Sequence, residues 1–279
     1  WVQIRAGRSR TKMVGMDRGN FPQIPAFPTS AALAIPSALM RNLITQTLFA
    51  VSAEESRYTL NGSLLVLSAT TVSMVATDGH RLAQVENHNT PLSSLAEEKR
   101  VLIPRKALNN LSALLAAAKE ETVEFADDGQ TLFFRVGGCV LTSRRLTGQF
   151  PNYANVIPRD NRKCVIVRAT ELLASIQRVA QFADERSNAI KMCLDANLLS
   201  LSAKSTESGE SEDTIETPYA GDPVTIGFNS GYIVDFLKAL GNQGEVRIEL
   251  KDGTSAAIMR PEGGDSSTDF KLVLMPLRV

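Results

Sequence analysis

Long apolar runs are missing from this sequence. Of its 279 residues 43% are hydrophobic, yet nowhere do they gather into the roughly eighteen-residue stretch that a membrane-crossing helix needs. No basic-then-apolar leader opens the chain, so export is not expected. Cysteine is scarce: Cys139, Cys164 and Cys193 are odd in number and scattered. They read as reduced, cytosolic thiols rather than a disulfide framework or a zinc site. His80 and His88, the two histidines, are too isolated to suggest a metal centre. An excess of one charge is also absent, since Lys and Arg number 30 and Asp and Glu number 30. A plain DNA-binding domain carries a basic excess to neutralise phosphates. Balance argues against tight, site-specific DNA binding, but permits a protein with a basic inner face and an acidic outer one.

Catalytic signatures are lacking as well. The sequence contains no G-x-S-x-G, P-loop, H-E-x-x-H or C-x-x-C, the spacings that build common nucleophile, phosphate and metal sites. Asp78 with His80 could suggest acid–base work and Ser143 a nucleophile. Asp-Gly-His between strands is more simply turn chemistry. A non-enzymatic protein without metal or cofactor is expected. The acidic run Glu207–Glu216 (ESGESEDTIE) reads as a solvated loop between strands rather than a cation site.

What is present is an internal repeat. Ile4–Pro22 (IRAGRSRTKMVGMDRGNFP) and Phe134–Pro151 (FRVGGCVLTSRRLTGQFP) both read as strand, Gly turn, strand, second Gly and an aromatic-Pro pair. A looser third copy, Ile258–Pro276, ends in FKLVLMP. Pro22, Pro151 and Pro276 lie roughly 125–130 residues apart. Between them, helix and strands also recur. Leu39, Leu43, Ile44, Leu48 and Val51 form an apolar stripe on a helix expected from about Pro36 to Val51. Pro36 stands near its start, where a missing N–H costs nothing. Leu172, Leu173, Ile176, Val179 and Ala180 do the same on a helix from about Thr170 to Phe182. Asp128-Gly129 and Asp252-Gly253 between alternating strands are hairpin signals. The expected fold class is α+β, with repeated domains of two helices packed on antiparallel sheet. Two unrelated α+β domains are the plainer alternative, which the shared order of the strings disfavours. Trp1–Met13 already reads as strand, turn, strand, so the amino-terminal part of a first domain is expected to be missing.

Several strings resemble one family in one order. They are LNG (Leu60–Gly62), ATDGHRLA (Ala76–Ala83), IPRKAL (Ile103–Leu108), GQFPNYANVIP (Gly148–Pro158), GFNSGYIVDFLKAL (Gly227–Leu240) and the terminal VLMPLRV. The family is the bacterial sliding clamp, the beta subunit of DNA polymerase III. The resemblance implies the DNA clamp fold: three similar domains per subunit, and a head-to-tail homodimer whose helices line a hole for duplex DNA. On that scheme residues 1–28 are the tail of a truncated first domain, 29–158 the middle domain and 159–279 the C-terminal one. Ring closure in the family joins the first domain of one subunit to the third of the other, so half of that contact is expected to be missing.

The resemblance also implies a docking pocket between the middle and C-terminal domains for extended peptides carrying Gln and spaced Leu/Phe residues. Its first subsite would use Leu60, Thr77, Gly79, Leu82, Pro151, Val156, Val273 and Met275. The second would use His80, Asn229, Tyr232, Thr254, Pro276, Leu277 and Arg278, with Arg81 between the two. Two positions depart from the family: Asn155 stands where Arg is common, and Val279 replaces a terminal Leu. Taken alone, TDGHRLA is a strand entering a polar turn and MPLRV a last core strand. Arg41, Arg105, Lys106, Arg178 and Lys238, on predicted helices or their starts, and Arg57 with Tyr58 on a loop, would face DNA loosely enough to slide.

The implied function is a processivity factor for DNA replication that encircles duplex DNA without sequence preference. Through its pocket it would tether the DNA polymerase III alpha subunit, the clamp loader and repair polymerases. It would act in the bacterial cytoplasm, at the nucleoid and away from membranes, as a homodimer when full length. The other reading is a clamp-like peptide-binding adaptor that does not encircle DNA. An open reading frame upstream of Trp1 with one more helix–strand repeat would decide for the clamp.

Overall fold

A computed structural model describes residues 1–279 apart from Pro22, Glu55, Pro91, Ser93, Ser94, Ala96, Asn242, Gln243, Asp265 and Val279. The repeat proline Pro22 and the terminal Val279 therefore lie outside the described residues.

The chain opens with the expected hairpin. Strands β1 (Val2–Ala6) and β2 (Ser9–Met13) pair antiparallel and turn at Gly7, whose φ of +58° suits glycine. Both strands are exposed along their whole length.

Beyond it, one motif occurs four times: a strand, a helix and three more strands. The first copy is β3 (Leu33–Pro36), α1 (Ser37–Thr47), β4 (Gly62–Leu67), β5 (Val72–Thr77) and β6 (Arg81–Asn87). The second is β7 (Lys99–Pro104), α2 (Arg105–Ala117), β8 (Thr122–Asp127), β9 (Thr131–Val136) and β10 (Cys139–Arg144). The third is β11 (Lys163–Arg168), α3 (Ala169–Val179), β12 (Ala189–Asp195), β13 (Leu198–Ser205) and β14 (Gly209–Glu216). The fourth is β15 (Val224–Asn229), α4 (Ser230–Ala239), β16 (Glu245–Leu250), β17 (Ala257–Glu262) and β18 (Thr268–Leu274).

Copies exchange their first strands in pairs. β3 joins β8, giving the sheet β10-β9-β8-β3, and β15 joins β12, giving β14-β13-β12-β15. β7 pairs with β4 and β11 with β16. The resulting two four-stranded halves fuse into one eight-stranded sheet, β11-β16-β17-β18-β6-β5-β4-β7. The seam is the antiparallel pair β6·β18, in register from Arg81↔Leu274 to Asn87↔Thr268. A continuous ladder leaves no unpaired backbone along this joint.

The helices cover one face of these sheets. Met40, Leu43 and Ile44 of α1, and Leu172, Ile176 and Val179 of α3, are fully buried. Burial of each such side chain is worth about 1.5–3 kcal/mol. Gly62 of the LNG string permits close packing: a Cβ there would lie 2.2 Å from the Ile103 carbonyl oxygen on β7.

Two expectations need correction. The first and third helices end at Thr47 and Val179, with a tighter 3-10 turn following each (Leu48–Ala50, Ala180–Phe182). Side-chain periodicity does not distinguish the two kinds of turn over three residues. The acidic run is not a loop: Gly209–Glu216 is β14, registered on β13 from Leu198↔Glu216 to Ser205↔Gly209. Its charges follow from its place at the sheet edge, where carboxylates stay in water. Both Asp-Gly signals do join hairpins, β8–β9 through Asp128-Gly129 and β16–β17 through Asp252-Gly253, but the second connection is longer than a tight turn.

Candidate functional site at the seam of the eight-stranded sheet

The strings carrying the resemblance gather around the place where β6 meets β18, except IPRKAL, which lies on β7 and α2 at the far edge of the sheet. Leu82 and Val273 are cross-strand partners, 4% and 2% exposed. They belong to a small apolar cluster with Leu64, Val66, Val75, Leu102, Phe150 and Ile258, on which Leu60, Tyr153 and Ile157 pack. This cluster is separate from the main core under the helices. Leu82 and Val273 are thus a floor. Met275 and Val156, each 40% exposed, stand as apolar groups open to solvent. Pro151 is exposed and lines a cleft of about 490 Å³ with Leu64, Leu102 and Phe150.

The turn before β6 is built by its own side chains. Asp78 Oδ1 accepts from the backbone N–H of His80 at 2.9 Å and of Arg81 at 3.0 Å. Thr77 Oγ1 donates to the Arg81 carbonyl at 2.6 Å and accepts from Gly79 N at 3.1 Å. Gly79 has a φ of +92°, a conformation that glycine adopts without penalty. Asx and hydroxyl turns of this type explain why Thr, Asp and Gly stand in this order. His80 is left exposed at the tip, and its carbonyl accepts from Met275 N at 3.0 Å. The chain after β18 then crosses to β15, where Leu277 N donates to the Gly227 carbonyl at 2.8 Å.

Arg81 occupies the junction. Its Nε donates to Asp78 Oδ2 at 3.1 Å and its Nη1 to Asp235 Oδ2 at 2.7 Å. Nη2 donates to the Phe49 carbonyl. The guanidinium lies 4.3 Å from the Tyr232 ring centroid and 5.3 Å from that of Phe49. Burial, followed by the nearby Asp78 carboxylate, pushes the Tyr232 phenol above its ordinary pKa. Asn229 caps α4 by accepting from Gly231 N at 2.9 Å, and its amide donates to Ser187 O at 3.0 Å. Thr254 is held within its own connection, where its N–H and hydroxyl both donate to Asp252 Oδ1, at 2.8 and 3.0 Å. Gly253 presses that connection on β15, since a Cβ there would meet the Thr225 carbonyl at 2.4 Å. Pro276 is half-buried and Arg278 exposed, the latter lining a cleft of about 690 Å³ with Lys191 and Glu212.

The structure therefore gathers Leu60, Thr77, Gly79, Leu82, Val273 and Met275 around the β6·β18 seam. His80, Arg81, Tyr232 and Leu277 stand beside them. Asn229 and Thr254 are spent on local hydrogen bonds, and Asn155 is exposed in the turn Tyr153–Asn155. Sequence reasoning did not single out Phe49, Phe150 or Asp235. Asp235 had one available signal, its position one helical turn after Tyr232 on α4.

Residues expected to face DNA fall into two groups. Lys106 and Lys238 are exposed, and among the described residues neither they nor half-buried Arg105 makes an ion pair. Tyr58, 65% exposed, shares a cleft of about 480 Å³ with Lys106 and Arg144. The other cations are committed. Arg178 binds Asp213 with Nε at 2.8 Å. Arg41 donates to the Leu115 carbonyl at 2.6 Å, tying α1 to the end of α2. Arg57 pairs with Glu54 at 2.8 Å and donates to the Asp78 carbonyl at 2.7 Å.

Comparison with known proteins gives one answer. The family description "DNA polymerase III beta subunit, central domain" matches residues 34–152, and "DNA polymerase III beta subunit, C-terminal domain" matches 154–278. The beta sliding clamp of Synechococcus elongatus is 33% identical over 99% of this chain and 73% of its own length. That of Vibrio cholerae is 31% identical over 100% of this chain and 74% of its own. A crystal structure of the Pseudomonas aeruginosa DNA polymerase sliding clamp superposes with a TM-score of 0.89 at 32% identity, covering 99% of this chain and 74% of that one. The Caulobacter crescentus beta sliding clamp gives 0.88 at 33% identity, with the same coverage.

Proposed function

The chain belongs to the DNA polymerase III beta-subunit family, the beta sliding clamps, and we propose that it tethers partner proteins to duplex DNA by docking their extended peptides along the β6·β18 seam. Its function is that of a DNA sliding clamp in replication. The observation supporting the seam as the docking place is the Met275–His80 hydrogen bond at 3.0 Å. It sets an exposed apolar side chain beside a polar turn, two residues along each strand from the buried Leu82–Val273 pair. Such a surface offers apolar anchors with a few polar groups to fix direction. Burying two or three Leu/Phe side chains contributes about 1.5–3 kcal/mol each before ordering costs. The net affinity is then micromolar, suited to partners that exchange, such as a replicative polymerase, a clamp loader and repair polymerases.

The role is non-catalytic and cytoplasmic, at the nucleoid. No helix among the described residues is long and apolar enough to cross a membrane. Residues 1–28, 29–158 and 159–279 act as the end of one clamp domain followed by two whole ones. Charge is arranged for head-to-tail assembly into a ring around DNA. Arg5, Arg8, Arg10 and Lys12 of the exposed β1–β2 hairpin have no acidic neighbour in residues 1–13, whereas on β14 Glu210 is paired with Lys204 and Asp213 with Arg178, leaving exposed Glu212 and Glu216 without an ion pair among the described residues. Opposite charges on two sheet edges favour their pairing across subunits.

Calorimetric titration with a Gln-Leu-x-Leu-Phe-type peptide tests the docking. Saturable micromolar binding, abolished in Met275→Ala, is the expected result; no heat of binding to the unaltered chain would refute it.

A further inference from the structure

We propose that Asp235 is a positioning residue for partner recognition: from α4 it holds the Arg81 guanidinium against Tyr232 and thereby fixes the wall between the two peptide subsites. This rests on the docking role of the seam and adds a residue to it that touches no peptide itself.

Arginine is a long side chain with about 2 kcal/mol of rotamer entropy, and a cation at the edge of a pocket has several places to go. Here three of its groups are engaged, by Asp78, Asp235 and the Phe49 carbonyl. Asp78 stands three residues before Arg81 on the same turn and follows it in any orientation. Phe49 lies within the 3-10 turn beyond α1, on the same side of the seam as Arg81. Asp235 and Tyr232 come from across the seam, on α4. They are three residues apart, which places them on one helix face. The guanidinium carbon lies over the ring, 4.3 Å from its centroid, while the carboxylate accepts from Nη1 at 2.7 Å. Planar Arg meets both demands at once, and Lys does not.

The consequence concerns specificity. With its edges taken by two carboxylates and a side chain only 10% exposed, Arg81 is no free cation for an acidic partner. It serves as a rigid wall, and recognition falls to Met275, His80 and the apolar floor. Removing Asp235 releases the one charged contact that, among the described residues, crosses the seam to reach Arg81.

Side-chain ¹⁵N NMR of the 279-residue chain reads the lock directly. The Arg81 Nη1 hydrogens, the ones that Asp235 holds and assigned by their loss in R81K, should exchange slowly with water and show a ring-current shift that Y232L removes. D235N is isosteric at a side chain 40% exposed, so the fold is retained. It should erase both signatures and weaken the Gln-Leu-x-Leu-Phe-type peptide about tenfold, and D235E should recover most of both. An Arg81 signal unchanged in D235N overturns the proposal. A lost signal with unaltered affinity also overturns it, because the pair is then structural only. A chain that binds no such peptide before any substitution sinks the docking role instead, while the NMR arm still decides whether Asp235 holds Arg81.

Discussion

The backbone N–H of Met275 donates to the carbonyl of His80 at 3.0 Å, across the end of the β6·β18 ladder. This bond makes two distant strings, TDGHRLA and LMPLR, into one surface. Leu82 and Val273, registered opposite each other just inside it, close the sheet from below. Rim and floor have different exposures, and their substitutions should separate accordingly.

Leu82→Ala removes a side chain 4% exposed in a packed cluster. It should cost about 2–4 kcal/mol of stability and lower the melting temperature as well as peptide affinity. Met275→Ala, at a side chain 40% exposed, should abolish peptide binding with less than about 1 kcal/mol of destabilisation. Thermal melts beside calorimetry check the split. Equal melting losses would contradict the division into floor and rim.

Gly79→Ala imposes a Cβ at φ +92°, 3.0 Å from Arg57 Nη1. The backbone penalty alone is about 1–2 kcal/mol. The turn should open, Arg57 should lose its bond to the Asp78 carbonyl, and peptide affinity should fall with His80 displaced. Denaturant unfolding and peptide titration measure the two effects.

DNA contact should distinguish free cations from committed ones. Lys238→Ala should reduce the salt slope of duplex binding by about one, the loss of one phosphate contact. Arg178→Ala should leave it nearly unchanged, because Arg178 is held by Asp213. Fluorescence anisotropy over a salt series decides. A larger slope change for Arg178 would place Asp213 away from it in the DNA-bound state.

Acid should reveal the connection around Thr254. Hydrogen bonds from the Thr254 N–H, the Ser255 hydroxyl and the Ser255 N–H bring Asp252 down to about 2 from its ordinary 3.8. A carboxyl depressed in the folded state contributes stability in full above its ordinary value, and loses it as pH falls through the folded one. Asp252→Asn should therefore lower the melting temperature at pH 5–7. The gap to the unaltered chain should narrow from about pH 4 toward pH 2. A gap independent of pH would show that the carboxylate charge is not the cause.

Charge reversal at Glu212 and Glu216 on β14 should weaken self-association measured by sedimentation. Reversal of Arg10 and Lys12 on β2 should do the same, and mixing the two variants should restore it in part. Association insensitive to either pair would remove the two edges from the interface.

Much of this protein follows from local rules. Repeated apolar stripes dictated helices at α1 and α3, because Met40, Leu43 and Ile44, like Leu172, Ile176 and Val179, recur on one face. The Thr-Asp-Gly order dictated a turn at residues 77–80, since hydroxyl, carboxylate and the φ of +92° at Gly79 act within four residues. The pairing of β6 with β18 was beyond reach of such rules. It joins residues nearly two hundred positions apart, and an exposed strand end carries no local mark of its partner. The same holds for β14, whose carboxylates read as loop until the ladder with β13 showed them on an edge. Arg81 illustrates the limit most clearly. Sequence placed it between two subsites, but whether it pointed outward as a free cation depended on Asp235, Tyr232 and Phe49. Only the fold brings those groups within reach, because charge pairing and stacking act over a few ångströms of space and not along the chain.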